Sequence, residues 1–340
     1  MAARSVKKVA RKPKKSAAES APAVQTPGAT AEGMGGGGFK IFLALIVVVL
    51  GVMYGPGLFK SGPPPKPNNF LLKKVAQFNI NPAPTKTFFA TDIAAIPPNK
   101  LVVTDCPGCQ VLQYDYRGKL VRKWGKAGKG PKELYEPSAI RTDKKGNSYV
   151  LDTWNGAVKI FDQFGNLQKV VDLTHFGFFY GPRRMGFAGD SVLIPNPSNF
   201  RLARVSLAGQ LQSIWEGPDS VGKASAAISD GKGHFYVADD TEKKGCVRVL
   251  DETGKVLRTI KTGGAPGNMA LDSKGRLFVE GTYGSSAYDA DGNFLGVLAD
   301  EAEIGKPIYY NGIDVASDDT LLTTGGNMVT IYKVAEQKEK

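Results

Sequence analysis

The residues best suited to chemistry are few and scattered. Cys106-Pro107-Gly108-Cys109 places two thiols three positions apart. That spacing serves either a redox pair, where a helix start lowers one thiol pKa, or a disulfide that staples a turn. No helical pattern follows and the pair lies between two strand-like runs, so a disulfide between Cys106 and Cys109 is the expectation. A c-type haem needs His next, where Gln110 stands, and a four-cysteine zinc site needs a second pair. Cys246 stands alone at the start of an apolar run and reads as a buried thiol. The histidines are His175 and His234, in unrelated positions, and no Ser-His-Asp set can be assembled around them. Gly125-Lys-Ala-Gly-Lys-Gly-Pro-Lys132 has the glycines of a phosphate loop but lacks the Lys-Ser/Thr after the last one and opens no helix. No catalytic residue, metal or cofactor is expected.

The elements that must position these residues repeat. Pro137 to Ile140 is a short apolar run, and Asp143-Lys144-Lys145-Gly146 is a turn that calls for positive φ. Tyr149 to Asp152 and Val158 to Phe161 are further strands, Asp162 to Gly165 is a second turn, and Leu167 to Val171 is a fourth strand. Turns of the same kind occur at Asp115–Gly118, Ser206–Gly209, Asp251–Gly254 and Asp289–Gly292. Four short antiparallel strands every ~40–45 residues are the pattern of a β-propeller blade. Six such units fit after residue 90. The sixth ends at Val334 without an outer strand, which Phe70 to Asn79 is placed to supply. The expected fold is all-β: a six-bladed β-propeller closed by an N-terminal strand and preceded by one transmembrane helix.

Three strand ends, Val103-Thr-Asp105, Val150-Leu-Asp152 and Val237-Ala-Asp239, and the Gly-rich linker from Gly125 to Pro137 resemble the NHL-repeat family of six-bladed propellers over residues 70–335. Asn196, Glu280 and Thr324 stand near the Asp position in the other units and depart from the pattern. The resemblance implies a fold that hosts scaffolds, lyases and lactonases alike, and so no activity by itself. Six-bladed lactonases hold calcium near the axis, and calcium takes six to eight oxygens. Here the inner strands begin with two candidate rings, Thr91, Ser138, Arg183, Ser225, Gly267, Asn311 and Asp92, Ala139, Arg184, Ala226, Asn268, Gly312. Neither makes a carboxylate cage and each contains an Arg, so no metal is expected, and Asn268 and Asn311 should not converge.

Residues 1–38 are rich in Lys, Ala, Pro and Gly and read as a disordered basic tail. Residues 39–59 are an apolar run long enough to cross a bilayer as a helix. The positive charge before it, about half of the chain's formal +12, predicts a cytoplasmic N-terminus and a periplasmic or extracellular propeller. Residues 60–69 read as a Pro-rich linker, 70–335 as the propeller and 336–340 as a charged tail. Within each blade one set of turns is stereotyped and the other varies. The varied face, with its inter-blade linkers, carries Lys126, Lys129, Trp154, Arg183, Arg184, Asn268 and Asn311, the expected binding residues. The resulting expectation is a non-enzymatic, membrane-anchored scaffold for a protein or anionic envelope component, with no nucleic-acid partner. The alternative is a propeller hydrolase or lyase with an atypical axial site.

Overall fold

The computed structural model describes residues 69–80, 90–176, 183–241, 245–282, 284–304 and 306–334. They lie within one compact unit, Pro67–Lys340, and form strands joined by turns and three single-turn 3-10 segments. Strand β1 (Asn69–Asn79) stands apart in sequence. The first sheet holds β2 (Ala90–Ile96), β3 (Lys100–Asp105), β4 (Gln110–Asp115) and β5 (Leu120–Trp124) in that order. The second holds β6 (Pro137–Thr142), β7 (Ser148–Asp152), β8 (Ala157–Phe161) and β9 (Leu167–Asp172). The third holds β10 (Gly186–Ala188), β11 (Ser191–Asn196), β12 (Arg201–Ser206) and β13 (Leu211–Glu216), the fourth β14 (Ala224–Ser229), β15 (Phe235–Asp239), β16 (Cys246–Leu250) and β17 (Val256–Lys261).

The fifth sheet has eight strands. It joins β18 (Pro266–Leu271), β19 (Leu277–Gly281), β20 (Ser286–Tyr288) and β21 (Phe294–Asp300) to β22 (Gly312–Val315), β23 (Leu321–Gly325) and β24 (Met328–Val334). Strand β1 lies between the halves. It pairs antiparallel with β24 from Leu72↔Val334 to Asn79↔Met328, as expected for the missing outer strand. Its first four residues also pair parallel with Val297–Asp300 of β21. The six separate sheets expected from the repeat are therefore four four-stranded sheets and one of eight, because β1 bonds on both edges. The expected transmembrane helix at 39–59 lies outside the described residues. No helix among the described residues is long and apolar enough to cross a membrane.

The first three strands of each unit are covered on both faces and read as nearly continuous apolar runs, as in β3 and β7. The outer strands alternate, as in β17, with one face packed and one wet. Buried clusters fill the gaps between successive sheets: first with second, second with third, third with fourth, fourth with the β18 half. Two more join the halves of the large sheet and its β22 half to the first sheet, completing a cycle. The stereotyped turns seat these sheets. In Asp162–Gly165 the carboxylate accepts the N–H groups of Phe164 and Asn166, both at 2.8 Å. Gly165 has φ +82°, and a Cβ there would lie 3.0 Å from Trp124 of the preceding outer strand. Gly254 repeats this under Trp215, where a Cβ would lie 2.2 Å from the indole. Glycine is required at both for left-handed backbone and for the aromatic lid.

Candidate functional site

At the axis the inner strands bring charge together. Arg141, on β6, donates from Nη1 to Asp92 Oδ2 on β2 at 2.7 Å and from Nη2 to Asn268 Oδ1 on β18 at 3.3 Å. Asn268 Nδ2 returns to Asp92 Oδ1 at 3.1 Å, and the Ile140 N–H donates to Asp92 Oδ2 at 3.1 Å. All three side chains are buried. The triangle spans three parts of the ring and uses most of its own donors and acceptors. Arg184, before β10, reaches the Thr91 carbonyl at 3.3 Å and lies 3.9 Å from Glu280 Oε2. Burial pushes the Glu280 carboxyl above its usual pKa despite the Asn268 N–H and Arg184. Burial likewise raises Asp314, against the opposing pull of Arg141 and the Ala95 N–H that donates to it at 2.8 Å. No group of three or more potential metal-ligating side chains occurs among the described residues.

The linker face is built differently. Asp152, at the end of β7, accepts the N–H groups of Tyr135 and Glu136 at 2.9 and 3.0 Å and pairs with buried Lys159 at 2.9 Å. Lys159 also donates to the carbonyls of Gly130 and Glu133. Asn155 bridges Asp152 Oδ2 at 2.6 Å and the Gly128 carbonyl at 3.0 Å. These bonds fix the linker and the Thr153–Asn155 turn to the sheet. They leave Tyr135 50% and Trp154 56% exposed, with ring centroids 6.3 Å apart. Exposed Lys126 and Lys129 stand on the same linker. Lys126 pairs with Glu133 at 3.2 Å. Arg183, its side chain 65% exposed, reaches Glu136 Oε1 at 2.6 Å.

The three Val-x-Asp ends share a duty: each carboxylate tethers the loop that follows or precedes it. Asp239 accepts the N–H groups of Lys223 and Thr241 and pairs with Arg248 at 2.7 Å. Burial opposes its ionisation, but the Thr241 and backbone bonds and the Arg248 guanidinium outweigh it, holding the carboxyl below its usual range. Asp105 binds the Gly108 N–H at 3.0 Å and Gln110 Nε2 at 2.7 Å. Where Lys159 and Arg248 follow the other two, the first sheet has Leu112. Burial therefore wins and raises Asp105.

Cys106 and Cys109 are free thiols, correcting the expected disulfide. The turn directs Cys109 Sγ toward the Tyr135 carbonyl, 3.4 Å away, and the thiol belongs to the packing against the linker. Burial, reinforced by Glu136 and Cys109, pushes the Cys106 pKa up to about 11, the opposite of an activated thiol. Cys246 is a buried thiol, as read.

The expected binding residues thus fall into two places. Lys126, Lys129, Trp154 and Arg183 gather on or beside the linker between the first and second sheets. Arg184 and Asn268 belong to the axis. Asn311 is exposed, with its N–H spent on the Thr324 carbonyl at 2.6 Å. Sequence reasoning missed Arg141, Glu280, Asp314 and Tyr135. A charged residue inside an otherwise apolar inner strand, as in Pro-Ser-Ala-Ile-Arg141 and Gly-Ile-Asp314, was the available signal.

A scan against family models finds no match, and a search of curated proteins finds none. Solved structures do match. A streptogramin B lyase aligns with a TM-score of 0.56 at 10% identity, over 76% of this chain and 97% of its own. The hydrazine synthase of Kuenenia stuttgartiensis aligns with a TM-score of 0.53 at 12% identity, over 75% and 98%. At such identity the likeness speaks to architecture alone. With the cycle of sheets above, it defines the chain as a β-propeller.

Proposed function

We propose that this chain is an NHL-like, six-bladed propeller. Its fifth and sixth blades are the two halves of the large sheet, the sixth completed by β1. The apolar run 39–59 anchors it, with the N-terminus cytoplasmic and the propeller periplasmic or extracellular. It acts as a non-enzymatic recognition module for an anionic protein or envelope component. The observation that carries this reading is the Tyr135–Trp154 pair, exposed on loops tied down by buried bonds and flanked by Lys126, Lys129 and Arg183. Large aromatics held rigid in a cationic setting are what recognition surfaces use.

Partner capture by crosslinking in cells tests it. The triple variant Trp154→Ala/Lys126→Ala/Lys129→Ala should retain its melting temperature and lose capture, with salt weakening what remains. Capture equal to wild type would sink the assignment. Protease added to intact cells should digest the propeller, and protection until the membrane is opened would overturn the orientation. The hydrolase or lyase alternative draws support from Glu280, whose raised pKa beside Arg184 suits an acid. It is the weaker reading, because Asp92, Arg141 and Asn268 are engaged with one another.

A further inference from the structure

A cleft of about 750 Å³ opens on the stereotyped-turn face, between the fourth sheet and the β18 half of the large sheet. Its volume suits a small organic ligand. The turns after β14, β18 and β22 form its wall, with Leu257, Leu271 and Tyr236 supplying apolar surface. Formal charges in the wall nearly cancel, so the hydrogen bonds decide which sign is available.

The carboxylates are engaged. Asp230 accepts the Lys232 and His234 N–H groups and the His234 ring at 2.7, 3.1 and 2.7 Å. Asp272 accepts two backbone N–H groups and Arg276 Nε at 2.5 Å. Asp319 accepts the N–H and hydroxyl of Ser273 at 2.8 and 2.7 Å. The cations keep unused donors. Arg258 gives one Nη2 bond to the Ala290 carbonyl at 2.6 Å and a long one to Tyr236, while its Nε is buried without a partner. Lys232 and Lys274 are exposed, and their ammonium groups have no hydrogen bond or ion pair within 4 Å among the described residues.

We propose that this cleft binds a small amphipathic organic anion, its acidic head held by Arg258, Lys232 and Lys274 and its apolar body against Leu257 and Leu271. A planar guanidinium with free N–H groups and two mobile ammonium groups match a carboxylate or phosphate head. The site is separate from the linker face and does not depend on its assignment.

The test titrates the full-length chain with phenyl phosphate, read by hydrogen–deuterium exchange mass spectrometry. Saturable protection should appear in the turns 229–234, 271–275 and 315–319. The half-saturating concentration should rise at least tenfold in Lys232→Ala/Lys274→Ala, whose changes lie on exposed side chains and spare the fold, and in Arg258→Gln. Lys126→Ala/Lys129→Ala should leave it unchanged. Inorganic phosphate, lacking the apolar body, should protect the same turns only at concentrations at least tenfold higher. No saturable protection, protection unmoved in the double lysine variant, or equal potency of inorganic phosphate would each overturn the proposal.

Discussion

The axis and the linker face both contain buried ion pairs, and the pairs do opposite things. At the axis, Asp92, Arg141 and Asn268 come from strands 49 to 176 residues apart and bond to each other across the ring. On the linker face, Asp152–Lys159 and Asp239–Arg248 join residues less than ten apart and then turn to backbone, fixing the adjoining loops. The first arrangement braces the ring. The second stiffens loops so that side chains beyond them can project. Charge alone is therefore a poor guide to a site, and what each charge is bonded to decides.

The sharpest way to break this comparison is at the axis. Arg141→Ala leaves the buried Asp92 carboxylate without its cationic partner and should cost about 3–5 kcal/mol in denaturant unfolding. The double variant with Asp92→Ala should cost less than the sum of the singles. Additive costs would show that the pair does not brace the ring. Next come the Val-x-Asp ends. Asp239→Asn strands Arg248, whose side chain retains some solvent access, and should cost about 2–3 kcal/mol. Asp105→Asn removes a carboxylate with no cationic partner and should stay within about 1 kcal/mol of wild type. Equal losses would remove the distinction drawn between them.

A smaller effect concerns pH. Asp239 and the turn carboxylates Asp162, Asp251 and Asp289 have folded pKa values below their unfolded ones. Their stabilisation is present above about pH 4, the ordinary aspartate range, and is lost as pH falls through the lower folded values. Asp105, Glu280 and Asp314 are raised, so their ionisation costs stability near neutrality, and that cost is relieved as pH falls through their folded values toward the ordinary carboxylate range. Melting temperature should hold or rise slightly from pH 7 to 5 and drop steeply below 4. A steady decline beginning at neutrality would contradict these assignments. The smallest effect is that of a reductant. With Cys106 and Cys109 as free thiols, dithiothreitol should leave the melting temperature unchanged, and alkylation of Cys106 at pH 7 should be slow.

The turns made most of the fold legible. Asp-x-x-Gly imposes its own local hydrogen bonds, so its spacing marks strand ends without knowledge of the rest. Strand β1 was legible for a related reason: an apolar run before a ring that lacks one strand has one place to go. Its parallel contact with β21 was not, since nothing in Asn69–Leu72 specifies a second partner. The axis was read at the wrong depth. Aligning strand entrances found Asp92, Arg184 and Asn268 but not Arg141, which lies two residues further along its strand than Ala139. The cysteine spacing fits a staple and a plain turn equally, and only the direction of Cys109 toward the linker separates them.

The seam at β1 also bears on the order in which the protein is made. Asn69–Asn79 leaves the ribosome before all the other described strands, yet its partners are β21 and β24, more than two hundred residues later. Among the described strands, none before β21 pairs with it. Until Val334 has been synthesised, the nascent propeller carries two unpaired edges and an uncovered apolar face on β24's side of the ring. Completion of the ring is thus the last event and the one with the longest loop to close, which favours slow final folding and a need for protection during synthesis.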